Sequence, residues 1–491
     1  MRLLGQYLLM VAFCFSAYAK TNNKMVKTIV VDSGNYEWTS DKEFSFQKTK
    51  ALERANRKVA SDNELNDDTM SAELKHFREK FLAIKTPNEL DTMINELDAN
   101  YEKYPSDLKM MAALIIPMKN LRAFNYRIYP FITKEKITHS VALTQVLNMA
   151  SFMKINLPTD QWMAGFKYIS EPIKLEDESE RIFSMDDFQN FVGLKVYPAL
   201  LKAATRISKI KITDRMIWDN KLFYGTASFS DNLKRFKSIG EAERLAILSG
   251  LHSAMANVSK FESYNFSDII PYSKEVASLY GYDSAFLSEV DGVTAKKVHE
   301  VLIKSKYRNL FTLKNLGEKN LLTSLKHLRE STRLAVLAWT EMRERTGNES
   351  ELFNSEIFTS GVSRIDHSAE VYEKMLAGPT TIRSDVTGEI ISVNIPTIFT
   401  NPVHDLKSYF PNGFEESTKM LTKEITEQGK SQKFTYRNYF YGRTNRFDFD
   451  SYKTIFPEIK SGEGVLKMIR IVNQSLGADF VATNLNPFVM Y

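Results

Sequence analysis

LLTSLKHLRESTRLAVLAWTEM, residues 321–342, is the stretch whose reading decides the fold. Leu321, Leu325, Leu328, Thr332, Ala335, Trp339 and Met342 recur in steps of four and three, the spacing that lines side chains up along one stripe of an α-helix. From Leu334 to Trp339 nearly every face is apolar, which predicts an end buried all round. A second long helix is predicted from Glu241 to Tyr264. Leu248, Leu251, Met255 and Val258 line one of its faces, and Ser249, Gly250, Ser253, Ala254 and Ala256 keep it thin enough for a close neighbour.

Outward from these two, helical spacing runs from about Asp67 to Arg345. Thr86-Pro87-Asn88-Glu89 carries a capping threonine, a proline where its missing N–H costs nothing, and a glutamate that can reach back. Ser184 with Asp186 and Asp187 opens another helix. The pairs Tyr104-Pro105, Tyr129-Pro130, Tyr197-Pro198, Phe410-Pro411 and Phe456-Pro457 mark helix ends or bends. After about Gly347 the texture changes. Thr381 to Ile395 alternates around Val386-Thr387-Gly388-Glu389 and reads as a hairpin. Lys433 to Phe449 reads as a second, with its turn near Gly442 to Asn445, and a last helix runs from about Gly464 to Leu476. The expectation is a mainly α, multi-helix globular protein with small β-hairpins in the C-terminal third. It divides into a signal peptide (1–19), a polar extension (20–66) with a short strand at Thr28 to Val31, and a helical domain (67–346). A mixed α/β region (347–491) follows, with no linker between it and the helical domain.

The chain opens with Arg2, an apolar stretch from Leu8 to Phe15, and Ala17-Tyr18-Ala19 before Lys20. This is the grammar of a secretory signal cut after Ala19. Phe13 is too large for lipoprotein processing at Cys14, so the only cysteine is discarded with the signal. The mature chain then has no disulfide, no thiol nucleophile and no thiolate metal site, in a periplasmic or secreted setting. The longest uncharged apolar run, Met110 to Met118, falls far short of the roughly 20 residues of a membrane helix, so no transmembrane segment is expected in the mature chain. The net charge of +5 is too small at this length to select a partner.

No cofactor or metal is expected. The seven histidines (His76, His139, His252, His299, His327, His367 and His404) do not pair at ligand spacing along the chain. His252, between Leu251 and Met255, reads as a core histidine, and Gly462-Glu463-Gly464 as a turn that starts a helix. Export argues against nucleic acid as a partner.

Two cell-wall resemblances supply candidate catalytic residues. Ser151-Phe152-Met153-Lys154, Ser230-Asp231-Asn232 and Lys460-Ser461-Gly462 stand in the order used by penicillin-binding proteins and serine β-lactamases. The resemblance implies Ser151 as nucleophile, Lys154 as its activator, and 460–462 as a carboxylate-binding strand. Against it, Ser151 lies inside an apolar helical stretch and 460–462 leads into a helix. Glu262-Ser263 at a helix end, with Asn265 beyond, is similar to the acid of soluble lytic transglycosylases. That resemblance implies Glu262 as general acid, its pKa raised beside Phe261 and Tyr264. The family's downstream glycine-leucine-methionine-glutamine pattern is missing, and Glu262 also reads as a polar residue closing an amphipathic helix.

Charge gives the remaining signal. Ten lysines and arginines but three glutamates lie between Lys296 and Arg333. A second basic stretch, without acids, interleaves Lys430, Lys433, Arg437, Arg443 and Arg446 with Phe434, Tyr436, Tyr439, Phe440, Tyr441 and Phe447. Tyr436, Arg437, Tyr439, Tyr441, Arg443 and Arg446 are therefore the candidate binding residues, for peptidoglycan, an acidic glycan or an anionic envelope component. The competing reading is a hairpin that packs its aromatics on the helical body. The function expected is an exported, soluble, helical binding or scaffolding protein of the cell envelope. The alternative is a peptidoglycan-acting enzyme working through Glu262 or Ser151.

Overall fold

The structure, a computed structural model, describes residues 29–34, 36–38, 70–134, 167–173, 181–210, 216–219, 236–279, 292–343, 362–413, 420–427, 430–437 and 446–476. The signal segment and residues 42–66 lie outside these.

Where the sequence carries capping chemistry, the helices start there. After α1 (Ala72–Ala83), α2 (Pro87–Ala99) opens on a capping box. Glu89 N–H donates to Thr86 Oγ1 at 3.3 Å, and the Thr86 N–H donates to Glu89 Oε2 at 3.1 Å. Next come α3 (Ser106–Ile115) and α4 (Phe124–Lys134). Ser184 caps α5 (Met185–Phe191), accepting from Asp187 N–H at 3.1 Å. A π-helical turn, Val192–Val196, leads from α5 into α6 (Tyr197–Ser208).

The centre is α7 (Glu241–Ser263) against α10 (Gly317–Arg343), with α8 (Ile269–Leu279) and α9 (Gly292–Leu302) between them in the chain. The small residues do what their size permits. Ser249 Oγ donates to the Ser331 carbonyl at 2.8 Å and Ser331 Oγ to the Ser249 carbonyl at 2.9 Å, while Ser324 Oγ donates to the Ala256 carbonyl at 2.9 Å. The two helices are thus antiparallel, and at these turns small side chains bond directly to the facing backbone. At the far end of α10, Leu334, Val336, Leu337, Ala338 and Trp339 are all buried, as the apolar run predicts.

Helix α10 belongs to two cores. Leu334, Leu337 and Trp339 sit in the larger one with α1 to α7. Leu321, Leu325 and Leu328 sit in the second, with Tyr372, Met375 and Leu376 of α11 (Val362–Ala377) and with Val465, Ile471 and Val472 of α12 (Gly462–Leu476).

The protein is mainly helical, with small two-stranded antiparallel sheets. One pair, β1 (Met216–Asp219) with β2 (Phe236–Ile239), lies within the helical region, ahead of the C-terminal third. The hairpin expected at 381–395 is present as β3 (Thr380–Arg383) with β4 (Ile390–Val393), and Gly388 takes the positive φ its turn requires. The second hairpin differs from expectation. β5 (Pro411–Gly413) precedes it, and β6 (Met420–Glu427) pairs with β7 (Lys430–Arg437), two residues apart. β8 (Arg446–Phe447) pairs with β5 instead. A two-residue connection ending in Gly429 allows tighter closure than one near Gly442, so Lys433 to Arg437 pairs backward along the chain. Pro130 lies inside α4 and does not end it. Ile29 to Val31 is extended, but its backbone bonds to a side chain instead of joining a sheet. No helix among the described residues is long and apolar enough to cross a membrane.

Candidate functional site

At its middle the α7–α10 seam holds polar groups shut away from water. His252 Nδ1 and His327 Nδ1 are 2.8 Å apart, and His327 Nε2 is 2.8 Å from the Tyr197 hydroxyl. Burial pushes both imidazoles down, His327 to about 3 with the nearby Lys326 charge assisting, and His252 well below its ordinary value with His327 assisting. Both rings are therefore neutral at pH 7, and one N–H lies between the two Nδ1 atoms. Tyr36 packs edge-on to His252 at 4.6 Å between ring centroids, and Trp38 lies 4.9 Å from His327. His252 is a core histidine as its position predicts, but its partner, 75 residues away, leaves no local trace in the sequence. Among the described residues no three metal-ligating side chains converge.

One end of the seam holds Glu262 and Lys314. Gly317 makes this possible, because a Cβ there would lie 2.3 Å from the Ser263 carbonyl; the start of α10 meets the end of α7. Lys314 Nζ then sits 3.8 Å from Glu262 Oε2, with the two side chains 3 % and 0 % exposed. Lys314 Nζ has no hydrogen-bond partner, and the backbone N–H of Gly193 is directed at the Glu262 carboxyl. Burial drives the carboxyl up, the Lys314 charge opposes this, and Asp186 adds to it; burial drives the amine down. Asp186 accepts from the Ser267 hydroxyl at 2.5 Å. Gly193, in the π-helical turn, lies against both Glu262 and Ile29.

Glu262 has the raised pKa expected of an acid, but the cause is enclosure beside Asp186. Phe261 packs on Phe188 and Phe266, and the Tyr264 hydroxyl is bonded to the Val403 carbonyl. An acid that protonates a glycosidic oxygen must touch its sugar, and Glu262 has no exposed surface with which to do so. Ser151 and Lys154 lie outside the described residues. Lys460 and Ser461 are exposed just ahead of α12, at a helix start and not along a strand.

Of the candidate binding residues, Tyr436 and Arg437 end β7 opposite Leu421 and Met420, and Arg446 in β8 faces Gly413. Tyr439, Tyr441 and Arg443 lie outside the described residues. The described members fall into two separate strand pairs.

A concave basic site occurs elsewhere, on the flank of α10. Arg329, Thr332 and Arg333 border a cavity of about 190 Å³ closed by Glu373, Leu376 and Ala377 of α11. Arg329 Nε donates to the Leu376 carbonyl at 2.9 Å, and its pKa is lowered by burial and by the Arg333 charge. Arg333 Nε is 3.7 Å from Glu373 Oε1, and Arg333 Nη1 is buried with no hydrogen-bond partner. Both arginines belong to the basic stretch 296–333, and their four-residue spacing on a predicted helix was the available signal for one shared face. A smaller cavity, about 160 Å³, is lined by Lys119, Lys202 and Arg206, but Asp98 already binds the last two. Compared with protein-family models, with curated proteins and with solved structures, the chain finds no match.

Proposed function

We propose that the chain is an exported helical protein that binds an anionic component of the cell envelope at the Arg329–Arg333 cavity. The observation that carries this reading is the concavity itself, which Arg329 and Arg333 border together. Among the described residues that line it, Glu373 is the one carboxylate against the two cations. Two guanidinium groups beside one carboxylate leave net positive charge at the cavity, and a carboxylate or phosphate group answers it with charge-assisted hydrogen bonds. The signal-like N-terminus supports this reading, because acidic wall polymers lie outside the cytoplasm.

The test is co-sedimentation of the purified protein with peptidoglycan sacculi, and separately its binding to a soluble acidic polysaccharide. Wild type is compared with Arg329→Gln/Arg333→Gln. The expected result is at least tenfold weaker binding by the double variant to one of the two. Equal binding by both proteins, or none by either, would overturn the reading.

A further inference from the structure

The cavity between α10 and α11 is narrow in the chemistry it offers. Thr332 donates its hydroxyl to the Leu328 carbonyl at 2.8 Å, so it has no proton to give a ligand. The side-chain donors left among the lining residues are the two guanidinium groups. Arg329 is held in place. Its Nε donates to the Leu376 carbonyl at 2.9 Å and its Nη2 to the Ala377 carbonyl at 3.4 Å, at the C-terminal end of α11. Arg333 is held less tightly, its Nε 3.7 Å from Glu373 Oε1 and so beyond hydrogen-bond length. The Arg333 and Glu373 side chains are 20 % and 30 % exposed, so a solute can reach both.

Size and charge narrow the occupant further. A volume of about 190 Å³ is below the roughly 300–1,000 Å³ that encloses a drug-sized ligand, so an acidic head group enters and the rest of its molecule stays outside. Two cations and one carboxylate leave a single net positive charge. A singly charged head group brings the occupied cavity to neutrality, whereas a doubly charged one leaves an excess negative charge beside Glu373. Attraction to the site grows in proportion to the ligand's charge, but the cost of taking that charge out of water grows with its square. A half-enclosed site of low net charge therefore favours the monoanion. A carboxylate is such a group; a phosphomonoester carries about −1.5 to −2 at pH 7.

We propose that this cavity is selective for a single carboxylate head group, and that Glu373 is the residue that sets the preference. The proposal rests on the anion-binding reading given above and narrows it from anions in general to monoanions. Glu373 competes with the ligand for Arg333 and repels a second ligand charge. Its removal strengthens anion binding and erodes the discrimination. Repulsion between unit charges about 4 Å apart in water-like surroundings changes a binding constant roughly fivefold. A carboxylate therefore gains roughly fivefold from Glu373→Gln, and a doubly charged phosphomonoester roughly twenty-five-fold.

The test titrates the full chain at pH 7.5 with glucuronate, N-acetylalanine and glucose 6-phosphate. Affinities are read by ligand-observed NMR, with circular dichroism checking that each variant is folded. Glucuronate and glucose 6-phosphate share a sugar ring and differ in the acidic group, while N-acetylalanine offers a peptide-like source of the same carboxylate. Wild type is expected to bind at least one carboxylate about threefold or more tighter than glucose 6-phosphate, and the tighter of the two names the source. Glu373→Gln is expected to lower that preference roughly fivefold, whereas Glu373→Asp, which keeps the charge, retains it. Arg329→Gln/Arg333→Gln is expected to abolish binding of all three. A preference unchanged in Glu373→Gln, or a wild type that favours glucose 6-phosphate, would overturn the proposal; if the double arginine variant still loses binding, the cavity stands as an anion site without this selectivity. No binding by wild type, or binding indifferent to both arginines, would overturn the anion-binding reading and the proposal together.

Discussion

Removing the amine of Lys314 tests whether the enclosed pair is balanced in the way its surroundings require. Lys314 Nζ stands 3.8 Å from Glu262 Oε2, with both side chains essentially without solvent and Asp186 adding a second negative charge nearby. Lys314→Met keeps most of the side-chain volume and deletes the only cation of the pair. Breaking a buried pair from one side costs about 3–5 kcal/mol, because the remaining charge is left without water or partner. The penalty depends on the ionisation of Glu262. Its folded pKa is raised from 4.5 to about 8, so below about 4.5 the carboxyl is neutral in both states and the missing amine matters least. As pH rises through about 8 the folded protein must ionise an enclosed acid, and the stability tied to its bound proton is lost. Lys314→Met should therefore be mildly destabilising at pH 5 and cost the larger amount at pH 8.5. The double variant Glu262→Gln/Lys314→Met should recover at least about 2 kcal/mol of that loss, since an amide in place of the carboxylate needs no counter-charge. Urea denaturation of the four proteins at both pH values closes the cycle. Additivity within about 0.5 kcal/mol, or a Lys314→Met penalty equal at the two pH values, would refute the reasoning.

Two further outcomes follow from the same seam. Gly193→Ala puts a methyl 3.1 Å from both Glu262 Cδ and Ile29 Cγ2; it should cost about 1–3 kcal/mol and expose the 29–38 segment to limited proteolysis, and an unchanged midpoint with unchanged cleavage would contradict the close approach. His327, held neutral down to about 3, makes the folded protein refuse a proton that the unfolded chain accepts below about 6.5. Stability is therefore lost as pH falls through that window, and His327→Gln should flatten the acid limb of the midpoint-versus-pH curve by up to one proton; a limb as steep as that of wild type would show that His327 is not the group responsible.

What the sequence disclosed was local. The four-three stripe of Leu321 to Met342, the Thr86–Glu89 box, the Ser184 cap and the hairpin about Gly388 each depend on residues a few positions apart, and each is where its spacing puts it. The thinness of α7 was legible as a run of small residues, though not which helix would use it. The second hairpin is ambiguous in the sequence because Gly429 and Gly442 both offer turns, and the strand that pairs with β7 lies before it. The chemistry of the seam was hidden for a different reason. His252 meets His327 across 75 residues, Glu262 meets Lys314 across a stretch that holds α8 and α9, and Asn320 bonds a backbone 291 positions away. No period or motif encodes such meetings, because they depend on how whole helices are laid together. The Glu262–Ser263 pair lies at the end of α7, but exposure, the property that decides its chemistry, is set by Gly193 and Lys314 from other elements.

One uninterrupted helix, α10, supplies Leu321, Leu325 and Leu328 to one core and Leu334, Leu337 and Trp339 to the other. Such a helix acts as a mechanical spine. Neither core can come apart without stripping apolar surface from a rod that the other still grips, so a local opening on one side is resisted from both. Its central amides, around His327 to Ser331, are thus placed to exchange with solvent only when the whole molecule lets go. The changing texture of the chain after residue 347 is a change of style laid over a single continuous grip.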